Sequence, residues 1–111
     1  MNDFTALERA CFECVASQHW PRLSFQDLEI ISRDNTGVGR FVDLRHSSGR
    51  RLADGIYECR GHIVEMEGVD FGIDFAVCVV EGRIDHLELV TCSPSGWDGV
   101  ERPWKLVRLQ V

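Results

Sequence analysis

Apolar residues recur at every second position from Phe71 to Val79, with polar or small residues between them. A period of two residues is typical of a β-strand whose two faces differ. Glu81-Gly82 follows, and glycine supplies the positive φ that a two-residue turn needs. The chain then runs back from Arg83 to Thr91, so this stretch predicts a β-hairpin.

The turn also predicts the register of this hairpin. It sets Val79 opposite Ile84, and counting back from there sets Val77 opposite His86. Apolar residues then occur on both faces of the pair. The hairpin is therefore expected at the centre of its sheet, or with one face covered by a partner chain.

The rest of the chain predicts one helix followed by strands. Thr5-Ala-Leu-Glu8 matches a capping box, an apolar stripe at helical spacing follows it, and Trp20-Pro21 ends the helix. We expect an α+β fold in a single domain spanning residues 1–111, with the N-terminal helix packed on an antiparallel meander sheet of about five or six strands. The predicted strands cover residues 28–32, 38–45, 55–67, 71–79, 83–91 and 104–111. The predicted core consists of Leu7, Cys11, Ile30, Val42, Ile56, Ile63, Phe75, Val77, Leu87 and Leu89.

The five cysteines are expected to be free. The N-terminal segment lacks the basic and then apolar layout of a signal peptide, which favours a cytoplasmic protein without disulfides. Cys11 and Cys14 have CxxC spacing but fall within the helical pattern, so packing is favoured over metal or redox chemistry. Cys78 lies in the apolar strand, as a small buried hydrophobe would. No cofactor and no metal are predicted.

The net charge of −6 is unevenly distributed. Nine acidic residues lie between Asp54 and Glu88, against only Arg60 and Arg83. This sign opposes nucleic-acid binding, and no apolar run is long enough to span a membrane. An acidic surface of this kind is either a solvated face or a site for a basic protein. The candidate partner-binding residues are Glu65, Glu67, Asp70, Asp74, Asp85 and Glu88. A tryptophan in the position of Trp97 most often caps the core, and the alternative is that Trp97 is an exposed aromatic anchor for a partner.

No catalytic signature is present, and an enzyme is the less favoured class. His86 and Glu88 share a strand face, yet they would hold a transition metal only if another strand supplied ligands such as His62 or Glu65. The alternative function is thus a small metal-dependent enzyme or ligand-binding domain that uses Asp74, Asp85, His86 and Glu88.

Two motifs resemble those of a family of small uncharacterised bacterial proteins. They are the Thr36-Gly-Val-Gly39 turn and the hairpin pattern GxDxGxxFxVxVxxGxIDxLE, which begins at Gly68. The resemblance covers roughly residues 28–90 and supports the fold and a bacterial origin, with no activity attached. The leading function is a non-enzymatic protein-binding domain, an immunity-type inhibitor whose acidic face covers a basic partner such as a toxin. A structural homodimer is the third possibility.

Overall fold

The computed structural model describes residues 3–47 and 49–109, and it begins with the predicted helix. α1 spans Ala6–His19. Thr5 caps it: its Oγ1 accepts a hydrogen bond from the Glu8 amide at 3.1 Å, and the Glu8 carboxylate accepts one from the Thr5 amide at 3.0 Å. These bonds satisfy amides that have no partner within the helix, so the predicted capping box is confirmed.

Seven strands form within the described residues, rather than five or six. The additional strand arises because the stretch predicted as one strand over residues 55–67 is interrupted by a turn, where Gly61 has a φ of 76°. The last strand is shorter than predicted, and residues 110 and 111 of that prediction lie outside the described part of the chain. The strands are β1 (Leu28–Asn35), β2 (Gly39–His46), β3 (Gly55–Glu58), β4 (His62–Met66), β5 (Val69–Val80), β6 (Arg83–Thr91) and β7 (Trp104–Arg108).

The strands form one antiparallel sheet in the order β1-β2-β6-β5-β4-β7. β5 is long enough for β3 to pair with its second half while β4 pairs with its first half. The sheet is therefore not the simple meander that was expected, because β2 lies beside β6 instead of β3. The hairpin of β5 and β6 occupies the centre, as predicted.

The register of the central hairpin differs from the prediction beyond its turn. Cys78, and not Val77, lies opposite His86, because Asp85 is an extra residue in a β-bulge. Leu87 consequently pairs with Val77 on the face that packs against α1. His86 lies on the opposite face.

The core lies between α1 and the sheet, and most of the predicted core residues are buried in it. Ile30 and Ile63 are only half-buried. The prediction was wrong for Ile56, which is 68% exposed because β3 directs Tyr57 towards the core instead. Phe71 is 75% exposed, since it adopts a φ of 65° in an irregular part of β5 and leaves the alternating pattern.

A buried charged network joins α1 to the sheet. Glu8 is fully buried, and Arg33 of β1 donates Nε and Nη2 to its two oxygens, the second at 2.6 Å. Arg40 of β2, only 4% exposed, donates Nη1 to Glu8 at 2.9 Å and to Glu101 at 2.6 Å. Burial by itself raises the pKa of Glu8, but the Arg33 hydrogen bond, the Thr5 amide and the two guanidinium charges together hold that pKa below its usual value.

A disulfide between Cys14 and Cys59 is a second link, and it corrects the expectation of free cysteines. It ties α1 to the turn between β3 and β4, with a Cα–Cα distance of 5.7 Å. The two residues are 45 positions apart, so only the packing of the helix on the sheet brings them together. Cys11, Cys78 and Cys92 are free thiols.

None of the helices in the described residues is long and apolar enough to cross a membrane.

Candidate functional site

The face of the sheet opposite α1, called the outer face below, is the candidate functional site. Strand alternation places polar and apolar side chains on it in rows that run across the strands. In one row Asp43 lies beside His86, and His86 beside Cys78. In the next row Phe41 lies beside Glu88. The outer face comprises Ser32, Asp34, Phe41, Asp43, Ile56, Glu58, Asp74, Ala76, Cys78, Val80, His86, Glu88 and Val90, with the bulge residue Asp85 at its margin.

This face carries an excess of negative charge. Its carboxylates are Asp34, Asp43, Glu58, Asp74, Asp85 and Glu88, and among the described residues none of them has an arginine or lysine nitrogen within 4 Å. Arg45, Lys105 and Arg83 lie on the same side of the sheet. Arg45 and Lys105 each lie beside a different carboxylate, Glu29 at 3.1 Å and Glu65 at 3.8 Å. Arg83, opposite Val80, donates Nη1 to the Gly49 carbonyl at 3.0 Å. Phe41, Ile56 and Val90 are exposed between the acidic residues.

The structure brings together only part of the predicted partner-binding set. Asp74 and Glu88 lie on the outer face, with Asp85 next to them. Glu65 lies at its edge beside Lys105, Glu67 lies in the exposed turn between β4 and β5, and Asp70 is the exposed second residue of β5.

Trp97 is buried and is not the exposed anchor that was the alternative for it. It is 2% exposed, its Nε1 donates to the Val100 carbonyl at 2.9 Å, and the Arg40 guanidinium lies 4.9 Å from its ring centroid. Its role is to cover the buried charged network.

Three metal-ligand side chains meet in the middle of the outer face. Donor atoms of Cys78, His86 and Glu88 lie within 4.8 Å of one another. Burial, with the nearby charges of Glu88 and Asp85, raises the pKa of the Cys78 thiol, which keeps it protonated when no cation is bound. The sequence analysis identified His86 and Glu88 as candidate metal ligands but missed Cys78, because the register predicted from the turn set Val77 opposite His86.

A cleft of about 600 Å³ lies elsewhere on the molecule, between the segment that follows α1 and the loop that follows β2. Trp20, Arg22, Asp27, His46 and Arg50 are among its lining residues. His46 Nδ1 accepts a hydrogen bond from the Ile84 amide at 3.2 Å, while its Nε2 has no hydrogen-bond partner among the described residues. Burial and the charge of Arg83 lower the pKa of His46 against the opposing effect of Asp27. With two arginines in its wall, this cleft differs in charge from the outer face.

Cys14, Cys59 and His62 form another group of three donors. The disulfide occupies both sulfur atoms, and His62 Nδ1 lies 3.6 Å from Cys59 Sγ. His62 belongs to this group and is therefore not the additional ligand that was considered for His86 and Glu88.

Comparison of the chain with protein-family models, curated proteins and solved structures finds no match. The resemblance to the small bacterial family therefore stays a prediction, and function is argued from the geometry of the outer face.

Proposed function

We propose that this chain is a non-enzymatic protein-binding domain whose outer face covers a basic protein surface, in the manner of an immunity-type inhibitor. The observation that carries the proposal is the group of carboxylates on the outer face that have no arginine or lysine partner among the described residues, with exposed apolar side chains between them. Charge of one sign steers an oppositely charged partner, and apolar side chains such as Phe41 supply contact area once it has docked.

The dimensions of the molecule agree with such a role. It measures 39 × 32 × 22 Å. Its broad side therefore offers an area on the order of 1,000 Å², and a stable interface needs about 800 Å² from each partner. A β-sheet face of this size can cover the mouth of an active site without inserting any group into it.

The test is affinity capture from the source cells with the purified chain, followed by binding measurements on the captured protein. The variant carries Asp43→Lys, Glu58→Lys and Asp74→Lys, which reverses charge on the outer face and leaves the Cys78 cluster intact. The control carries Glu13→Lys, Glu67→Lys and Glu81→Lys, which changes the net charge equally at exposed positions outside that face.

We expect a basic protein that binds the wild type and the control with similar affinity and binds the outer-face variant at least about 100-fold more weakly. The association rate should fall as salt concentration rises, because exposed charges are screened. Equal binding by the two variants would refute the outer face as the interface. A captured protein that is acidic, or a complex insensitive to salt, would contradict the electrostatic part of the proposal.

A further inference from the structure

The cluster at the centre of the outer face is built by the β-bulge in β6. If Asp85 paired regularly with Cys78 instead of bulging, His86 would lie opposite Val77 and face the core. The bulge turns His86 outward, so that it lies directly across from Cys78, and Glu88 follows two positions later on the same side. A thiol, an imidazole and a carboxylate from two adjacent strands are thereby held by regular backbone pairing.

The imidazole of His86 is oriented by its neighbours. Its Nδ1 lies 2.8 Å from Asp85 Oδ2, and a carboxylate there accepts a hydrogen bond from Nδ1–H, the tautomer that leaves the electron pair of Nε2 free for a metal ion. Nε2 is directed to the cluster, 3.8 Å from Glu88 Oε2. The ring of Phe41 packs edge-on against the imidazole, with 5.6 Å between centroids. A carboxylate bound to the far nitrogen is the usual companion of a metal-bound histidine.

We propose that Cys78, His86 and Glu88 bind a divalent transition metal ion of the zinc type, with Asp85 positioning the histidine. Thiolate, imidazole and carboxylate together suit Zn²⁺ better than Mg²⁺ or Ca²⁺, which prefer oxygen ligands. Tetrahedral Zn²⁺ with these ligands needs donor atoms about 3.5 Å apart. The donors now lie within 4.8 Å, so small side-chain rotations close the site without any movement of the strands.

The fourth coordination position is left to solvent. Cys78 is nearly buried between its neighbours, whereas the side chains of His86 and Glu88 are 22% and 28% exposed. The open position therefore faces out of the sheet, where water or a donor from another molecule can reach it. Three protein ligands with an open fourth position distinguish such a site from a closed structural zinc site.

The test is titration of the purified full-length chain with Co²⁺ and then Zn²⁺, without reductant. Bound cobalt is read from its sulfur-to-cobalt charge-transfer absorption, and zinc affinity from calorimetry. Omitting reductant keeps Cys14 and Cys59 in their disulfide, so that they supply no thiolate. Cys92→Ser removes the exposed free thiol as a control, and His62→Ala tests the other donor group.

We expect one equivalent of metal and a cobalt–thiolate band that both control variants retain. Cys78→Ser should abolish the band, and Asp85→Asn should weaken zinc binding by about 10- to 100-fold. Glu88→Gln serves as a second ligand variant because its partly exposed site tolerates the change without loss of fold, and it should also weaken binding. The proposal is overturned if wild-type chain shows no band, if the band survives Cys78→Ser, or if it is lost with Cys92→Ser. These measurements need no protein partner, so a negative result would overturn the metal site alone and not the proposed protein-binding function.

Discussion

Replacing Glu8 by glutamine tests whether the buried charged network stabilises the fold. Glutamine keeps an oxygen that can accept the hydrogen bond from the Thr5 amide, so the helix cap is retained and only the charge is lost. Arg40 then stays almost fully buried with Glu101 as its remaining carboxylate partner. Arg33 Nε faces an amide nitrogen and loses its acceptor, while Nη2 keeps only a neutral oxygen as its partner.

The expected loss is large because the removed charge is fully desolvated. Breaking a buried ion pair by deleting one partner costs about 3–5 kcal/mol, a substantial part of the roughly 5–15 kcal/mol that holds a domain folded. Urea unfolding at neutral pH, followed by circular dichroism, measures the difference in free energy of unfolding. Glu13→Gln is the matched control, because Glu13 pairs with Arg9 on the exposed side of the same helix and should cost less than about 0.5 kcal/mol.

The difference in stability between wild type and Glu8→Gln should also depend on pH. The pKa of Glu8 is lowered from 4.5 in the folded state. Between the folded-state and unfolded-state pKa values the unfolded chain therefore binds more protons than the folded chain. The carboxylate stabilises the fold fully only above the unfolded-state pKa. That contribution is lost as the pH falls through the folded pKa, and the stability gap between wild type and Glu8→Gln should narrow over this range. A gap below about 1 kcal/mol at neutral pH, or one independent of pH down to acid unfolding, would refute this reasoning.

Two further predictions concern the links within the fold. Cys59→Ser should lower the free energy of unfolding by about 4 kcal/mol under non-reducing conditions, because the disulfide closes a loop of 45 residues. The control variant Cys92→Ser should change that free energy little. Equal stabilities of the two variants would contradict this prediction. Gly39→Ala should cost about 3 kcal/mol or more in the same urea assay, since its Cβ would meet the Leu89 carbonyl oxygen; a neutral effect would show that β2 and β6 can separate there.

Features that depend on neighbouring residues could be predicted from the sequence. The Thr5–Glu8 capping box and the Glu81-Gly82 turn are set by local backbone chemistry, and both turn residues have the positive φ that the pattern implied. The central position of the hairpin followed from its two apolar faces. Local patterns identify an element because the groups that decide its conformation lie within a few residues of one another.

Features that depend on the choice of distant partners could not be predicted. Glu8 was recognised as a capping residue, but Arg33 and Arg40 reach it only once α1 packs on the sheet. The bulge at Asp85 has no strong local signal either, and that one extra residue decided whether Val77 or Cys78 lay opposite His86. The acidic character of the site was visible in the sequence, whereas its metal-ligand geometry required the register.

The two proposals also make a joint prediction, because the cluster lies within the proposed interface. A divalent ion that displaces the Cys78 proton adds one positive charge to the outer face. Zinc should therefore slow association with a basic partner by a few-fold at low salt, and Cys78→Ser should remove this sensitivity. Stopped-flow association rates with and without zinc measure the effect. The opposite result would be faster or tighter binding in zinc with wild type but not with Cys78→Ser. It would contradict simple electrostatics and indicate that the partner donates the fourth ligand, because a direct bond to the metal would have to outweigh the added repulsion.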